Sequence, residues 1–278
     1  MTVLELSALV FLGSILAGLL GALTGLGGGI VVIPMLTLLF GVDIRYAAGA
    51  ALISVIATSS GAASSYVRDG YSNLRVGMFL EIATTVGAVL GAALTGHVGT
   101  GTIGIVFGVV LLASAALSVR THGDPNSSDA PDPLATRLRL DGDYPTPGGR
   151  VAYHVRGVPA AFGLMFLAGG LSGLLGIGSG AVKVLALDRA MHLPFKVSTT
   201  TSNFMIGVTA AASAGIYLGR GYIDPGLAMP VMLGVLVGAL GGARILARVQ
   251  SAALRVVFAV AIAVMGVQMI WNGVHGGP

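Results

Sequence analysis

Apolar runs of helical length, separated by short polar segments, make up most of this chain. A helix that crosses a bilayer needs about 20 residues, and most of the runs approach or reach that length. Two runs, 30–40 and 181–187, are too short, and each follows a cluster of glycines. The full set is 3–23, 30–40, 46–67, 77–96, 102–119, 158–175, 181–187, 194–219, 226–243 and 252–271. The pattern predicts an all-α polytopic membrane protein.

Composition supports a membrane location and excludes several other classes of protein. Charged residues make up 9% of the chain and apolar residues 55%, with a mean hydropathy of +0.91. Soluble domains carry about 25% charged residues, so lipid has to cover this surface. The formal charge of +4 is spread between apolar runs, which argues against nucleic acid as a partner. The chain has no cysteine, and no histidine spacing suits a metal, so we expect no cofactor.

The two halves of the chain align without a gap at a constant spacing of 151 residues, as from Gly25 to Gly176. Arg45 aligns with Lys196, and the pair Gly70-Tyr71 aligns with Gly221-Tyr222. Chance matching in a glycine-rich sequence is the alternative, but it does not explain matched tyrosine and basic positions in one register. The sequence therefore predicts an internal duplication.

The distribution of Lys and Arg indicates how the two copies are oriented. If each copy crosses the membrane four times, the repeats are parallel and these residues divide eight against six between the two sides. If each glycine-interrupted helix folds back as a hairpin, followed by three spanning helices, the copies are inverted and the division is twelve against two. Basic residues concentrate on the cytoplasmic side. We therefore predict two inverted repeats, both termini in the periplasm and a cytoplasmic central loop.

This topology divides the chain into a first membrane repeat at 1–119, a cytoplasmic loop at 120–157 and a second repeat at 158–278. Segments 137–140 and 151–155 of the loop alternate apolar and polar residues and are separated by turn-forming Asp, Gly and Pro. This pattern predicts a small β-hairpin after a flexible stretch at 123–133. A disordered linker is the alternative.

The two glycine clusters are the main candidates for a binding site. A helix that breaks within a bilayer exposes backbone N–H and C=O groups, which is tolerated only beside protein or a watery cavity. Paired broken helices at equivalent positions of two halves indicate the binding site of a transporter. Tight helix packing without a ligand is the alternative. The candidate substrate-binding residues here are Gly25, Gly27, Gly28, Gly29, Gly178, Ser179 and Gly180.

Lys183 lies shortly after the second cluster, inside an apolar run. A charged residue at mid-bilayer is costly, so it normally faces a cavity or a partner. Lys183 is therefore predicted either to contact an anionic substrate or to snorkel toward the cytoplasmic interface.

A run of small polar residues at 198–203 opens the next predicted helix. Its side chains can donate hydrogen bonds to an oxyanion, or they can bond between helices. The candidate substrate-binding residues of this run are Thr200, Thr201, Ser202 and Asn203. Glu81, near the start of a span, is a candidate proton relay, but a carboxylate at the membrane interface is the favoured interpretation.

At the level of motifs, the chain resembles the sulfite exporter TauE/SafE family, also called the 4-toluene sulfonate uptake permease family. The resemblance rests on GALTGLGGGIVVIP at 21–34, AGAAL at 48–52, Gly70-Tyr71 and the stretch 169–183. It implies a multi-pass carrier of the bacterial inner membrane that moves sulfite, organosulfonates or related oxyanions.

We therefore expect a secondary transporter of a small anion that works by alternating access and is not an enzyme, with export favoured over import. An anion channel is the alternative, followed by an intramembrane enzyme or a scaffold. The expected partners are the anionic solute and the lipid bilayer. A coupling proton or ion and a homodimer are left open.

Overall fold

The computed structural model describes residues 3–24, 28–119, 132–146, 148–178, 180–246 and 252–275. These residues are predominantly helical. The first half contains α1 (Val3–Thr24), α2 (Gly29–Pro34), α3 (Ile44–Arg68), α4 (Leu74–Leu94) and α5 (Thr100–Val119). The central segment contains α6 (Pro133–Arg137), β1 (Gly142–Thr146) and β2 (Gly149–Tyr153). The second half contains α7 (Val158–Leu175), α8 (Gly180–Leu185), α9 (Phe195–Gly219), α10 (Pro225–Leu246) and α11 (Ala252–His275).

Several helix bounds of the second half repeat those of the first at the spacing of 151 residues. The two short helices α2 and α8 begin and end at equivalent residues, as do α3 and α9. Both short helices continue directly into one wide π-helical turn, Met35–Leu39 in the first half and Ala186–Ala190 in the second. Proline stands at the end of α2 and leucine at the end of α8, so proline is not required for the wide turn.

Both short helices also end in the same way. The second residue after each wide turn has a positive φ, which is 64° at Gly41 and 58° at His192. The next backbone N–H then folds back onto a helical carbonyl, from Val42 to Leu36 O at 3.0 Å and from Leu193 to Leu187 O at 3.1 Å. This hydrogen bond satisfies one carbonyl that the end of the helix leaves open. The two halves therefore share local geometry as well as sequence.

Helices from the two halves pack against each other in reciprocal pairs. The first helix of each half contacts the fourth helix of the other, which gives α1 with α10 and α7 with α4. Glycines allow the backbones to touch: a Cβ atom on Gly91 would overlap Gly170 O, and one on Gly238 would overlap Ile15 O. Such small residues are typical of close helix contacts in membranes. Gly91 and Gly238 therefore serve close helix packing.

Equivalent helices of the two halves also contact each other, and they run in opposite directions. In the pair α5 and α11, Gly101 lies against Gly273, whereas Gly108 lies against Gly266. In the pair α3 and α9, the beginning of each helix lies near the end of the other. The backbone at Gly49 meets Tyr222, just after α9, and Asn73, just after α3, hydrogen-bonds to Thr201 at 2.9 Å.

The predicted hairpin is present as a two-stranded antiparallel sheet, in which Gly142 pairs with Tyr153 and Thr146 with Gly149. The side chain of Arg150 donates to Asp143 at 2.6 Å across the strands, which lowers the pKa of that exposed carboxyl. Because 132–146 and 148–155 have defined structure, a disordered linker is wrong for this part of the loop. The flexible stretch predicted at 123–133 lies outside the described residues except for its last two.

The position predicted for the first strand was wrong. Asp132 caps α6 by accepting a hydrogen bond from Leu134 N at 2.9 Å, with Pro133 as the first helical residue. Both features favour a helix start. The segment 137–140 therefore forms the end of α6 and a turn at Arg139, where φ is 53°. The strand begins two residues later, at Gly142.

The hairpin packs onto the first turns of α4. Asn73 caps α4 through Val76 N at 3.0 Å, and its side-chain amide donates to Leu140 O at 2.8 Å and to Tyr153 Oη at 2.9 Å. Burial raises the pKa of Tyr153 to about 12, so its hydroxyl stays protonated at neutral pH. Leu140, Tyr153 and Val76 belong to one buried apolar cluster. Protein therefore covers one face of the first turns of α4, whereas Leu74 and Met78 on other faces stay exposed.

Candidate functional site

The two glycine breaks lie side by side between α3 and α9. A Cβ atom built on Gly29 would lie 3.7 Å from Gly176 O and 3.1 Å from Val55. Gly178 faces both Val55 and Ile206. These two apolar residues occupy equivalent positions of α3 and α9 and fill the space between the breaks.

The second break has a backbone that glycine favours. The φ angle is 73° at both Gly176 and Gly178, a left-handed conformation that ends α7. Gly28 packs against Val235 of α10, and Gly180 accepts a hydrogen bond from Ser202 at 3.4 Å. Of the candidate site residues, Gly25, Gly27 and Ser179 lie outside the described residues.

The polar run at the start of α9 divides between two locations. Thr200 donates to Tyr71 O at 2.9 Å, and Thr201 accepts from Asn73 N, so both hydroxyls hold the loop between α3 and α4. Ser202 points to the second break. The backbone carbonyl of Asn203 accepts a hydrogen bond from Ser59 at 2.6 Å, which joins α9 to α3. Within this run, Ser202 is therefore the residue that the structure brings to the glycines.

Lys183 is fully buried, with 0% of its surface exposed. Its ammonium group donates a hydrogen bond to the hydroxyl of Thr209 on α9. The side chain therefore does not snorkel to an interface, because it points to a polar partner inside the protein.

Glu81 is buried inside the protein rather than exposed to its surroundings. Glu81 is only 7% exposed, and its carboxylate accepts hydrogen bonds from Thr209 at 2.5 Å, Thr85 at 3.3 Å and Thr84 at 3.4 Å. The physical reason is helix packing, because α7 and α9 pack against α4 and Thr209 of α9 faces the carboxylate. A carboxylate seven residues into an apolar helix is itself a signal of such a site. Its partner Thr209 carried no comparable signal in the sequence.

Thr209 joins the two charged groups. Its oxygen accepts from Lys183, and its single proton has two acceptors within reach, Glu81 Oε1 at 2.5 Å and Met205 O at 2.9 Å. We call Lys183, Thr209 and Glu81 the ionic triad. It connects the short helix α8 to α9 and α4, beside the second break.

The ionic triad has no counterpart at the positions related to it by the spacing of 151 residues. The residues at the equivalent positions are Val32, Thr58 and Met232, of which only the threonine is polar. The hydroxyl of Thr58 bonds back to its own helix, at Ser54 O and Val55 O. Of these two equivalent sets of positions, only the ionic triad therefore carries charged side chains.

Comparison with known proteins identifies the family. The family model for the sulfite exporter TauE/SafE matches residues 10–269. The chain belongs to the TauE/SafE family. The matched region contains both glycine breaks, the hairpin and the ionic triad.

Three relatives of this TauE/SafE chain extend the similarity over most of its length. It is 25% identical to "Probable membrane transporter protein YunE" of Bacillus subtilis (strain 168), over 96% of this chain and 97% of the relative. It is 28% identical to "Probable membrane transporter protein YdhB" of the same organism, over 85% and 89% of the two chains. It is 24% identical to "Probable membrane transporter protein MJ0441" of Methanocaldococcus jannaschii, over 96% of each. No solved structure matches significantly.

The helices agree with the membrane location of a TauE/SafE protein. Among the described residues, α4 and α7 meet a length and hydropathy test for spanning a membrane, with mean hydropathies of 1.7 and 1.8. α4 carries Glu81, and α7 leads into the second break. The family and the names of the relatives indicate a membrane transporter rather than an enzyme.

Proposed function

We propose that this protein is a secondary transporter that moves a small anion, such as sulfite or an organosulfonate, across the bacterial inner membrane by alternating access. The observation that carries the proposal is the buried Lys183 beside a broken helix, in a member of a transporter family. The family description names an exporter, and the direction of net flux would follow the gradients of the anion and of any ion coupled to it.

The chemistry of the site supports an anionic substrate. Burying a charge in a membrane helix costs about 2.5–3.5 kcal/mol on insertion scales, so a lysine retained there has a role that offsets this cost. An oxyanion that loses its hydration on binding requires several donors at once. The ammonium group of Lys183, the hydroxyl of Ser202 and the backbone of both glycine breaks are the donors that we assign to it.

The packing of the two halves supports inverted repeats. Equivalent helices that run in opposite directions are expected when two copies are related by an axis in the membrane plane. We therefore propose repeats at 1–119 and 158–278, joined by a cytoplasmic loop at 120–157, with both termini in the periplasm. The adjacent breaks support a single binding site between the repeats.

Alternating access requires a contact that closes each end of the path, and two equivalent contacts are candidates. The ammonium group of Lys196 lies 3.9 Å from the centre of the Tyr71 ring, and the guanidinium carbon of Arg45 lies 5.7 Å from that of Tyr222. Each pair joins the beginning of α3 or α9 to the loop that follows the other helix. We propose that rocking of the repeats opens the two pairs in turn.

Flux measurements test this function. We expect proteoliposomes containing the purified protein to take up labelled 4-toluenesulfonate or sulfite in a saturable manner, and faster when the same anion is preloaded inside. Acceleration by the preloaded anion identifies a carrier, since it reports exchange through one site. Conductive flux that does not saturate would instead favour an anion channel, and no flux of either anion would contradict the proposed substrate class.

Reporter fusions test the topology. We expect a fusion after Val119 to report the cytoplasm and a fusion after Trp271 to report the periplasm, because the copies are inverted. The measurement compares a periplasm-active with a cytoplasm-active reporter at each site. Equal signals at the two sites would contradict the inverted arrangement.

A further inference from the structure

The ionic triad contains a carboxylate for which anion binding alone has no use. We propose that Glu81 binds a proton, and that this proton and a monovalent anion bound at Lys183 are carried together, one for one. The inference rests on the proposed anion transport and names the ion that is coupled to it.

Charge balance in the buried site is the first argument. In the empty site, the ammonium group of Lys183 is compensated by the carboxylate of Glu81 through Thr209. A monovalent anion that binds Lys183 adds one negative charge, and a proton on Glu81 cancels it. The empty site and the doubly loaded site are therefore both neutral. A site with only the anion or only the proton contains an uncompensated buried charge, which is strongly unfavourable.

The hydroxyl of Thr209 can hydrogen-bond to Glu81 in both its ionised and its protonated form. When Glu81 is ionised, Thr209 donates its single proton to Oε1, which lies 2.5 Å away. When Glu81 is protonated, the carboxyl donates to Thr209 Oγ1, and the hydroxyl proton turns to Met205 O at 2.9 Å. Lys183 donates to the same oxygen throughout. The exchange needs only rotation of one hydroxyl group.

Among the described residues of the helices packed around Glu81, Lys183 is the charged residue that shares a hydrogen-bond partner with it. The helix α4 that contains Glu81 otherwise carries only Arg75, at the exposed start, where it donates to Arg139 O. The helix α7 has no acidic, basic or histidine residue, and α9 has Lys196 as its only charged group, over the Tyr71 ring. In the turn after α8, the carboxylate oxygen Oδ2 of Asp188 lies 3.8 Å from Nε of Arg189.

The ratio of protons to anions follows from the presence of a single ionic triad. The positions equivalent to the triad at the spacing of 151 residues hold Val32, Thr58 and Met232, which neither bind a proton nor carry charge at neutral pH. One proton site and one cation give one proton for each monovalent anion. A carrier that moves only in its two neutral states is also insensitive to membrane voltage.

Proteoliposomes with an imposed pH gradient test the coupling. The probe is labelled 4-toluenesulfonate, a strong-acid anion that carries no proton of its own. With an acidic exterior, we expect wild-type vesicles to accumulate the probe about tenfold per unit of pH difference, the equilibrium value for a ratio of one. A potassium diffusion potential set with valinomycin should not change this accumulation, and an internal pH dye should report one proton for each sulfonate.

Variants locate the proton site. Glu81→Gln keeps the shape of the side chain but cannot exchange a proton, so we expect loss of accumulation driven by the pH gradient, while sulfonate still exchanges between preloaded vesicles and the medium. That remaining exchange also demonstrates that the variant is folded. Thr209→Val should weaken the coupling strongly, whereas the matched variant Thr58→Val, at the equivalent position of α3, should behave as the wild type.

The outcomes separate this inference from the proposed function. Net uptake of sulfonate by wild-type vesicles without proton uptake, or Glu81→Gln vesicles that still accumulate the probe along the pH gradient, would overturn the proton site alone. Wild-type vesicles that exchange neither 4-toluenesulfonate nor sulfite would overturn the anion function, and the coupling with it.

Discussion

Replacing Lys183 with methionine is expected to weaken anion binding ten- to hundredfold and to lower the melting temperature. The affinity change corresponds to the loss of one charge-assisted hydrogen bond, about 1.5–3 kcal/mol. The stability change has a separate cause, because Glu81 loses the cation that compensates it. Removal of one member of a buried charge pair costs about 3–5 kcal/mol. Binding of 4-toluenesulfonate and thermal unfolding in detergent measure the two effects.

A double variant distinguishes these two effects. Lys183→Met combined with Glu81→Gln removes both charges, so the thermal stability should return toward that of the wild type. Anion affinity should not return, because the cation is still absent. If the double variant bound the anion as tightly as the wild type, Lys183 would have only a structural role.

Alanine substitutions at two glycines of α7 are expected to change stability in opposite directions. At Gly163, a Cβ atom meets nothing within 4 Å, so Gly163→Ala should stabilise by about 0.5–1 kcal/mol through its better helix propensity. At Gly173, the same atom would overlap Ala88 O of α4. The two helices must separate, and such overpacking costs roughly 1–3 kcal/mol.

Thermal unfolding in detergent measures both substitutions, and each serves as the control for the other. We expect Gly173→Ala to melt below the wild type and Gly163→Ala to melt at or above it. Transport should fall only in Gly173→Ala, because α4 carries Glu81 and α7 leads to the second break. Equal melting temperatures would mean that the contact between α4 and α7 does not limit stability.

The sequence was sufficient to predict features that depend on local pattern. Apolar runs without charges predict helices in lipid because an unpaired backbone group is too costly there. The breaks were visible because glycine clusters interrupt those runs at equivalent positions. The buried position of Lys183 was one of two alternatives, since a lone cation in an apolar run has few stable placements.

Local pattern misled where a distant segment changes the environment of a residue. Glu81 lies near the start of a span, and from its position alone an interfacial site is reasonable. Its burial depends on α7 and α9, which pack against α4, and on Thr209 of α9, which lies 128 residues away along the chain. Likewise, the alternating residues at 137–140 suggested a strand, but the cap at Asp132 starts a helix there.

By itself, the sequence determined that this protein is helical, apolar and duplicated, with a break in each half, because these properties follow from composition and spacing along the chain. Only the tertiary structure decided which groups meet. Gly29 and Gly176 are adjacent because α3 and α9 pack against each other, and Lys183 reaches Glu81 only through Thr209, a residue 26 positions away. Such partners are far apart in the sequence and are brought together by helix packing, so no local sequence pattern predicts them.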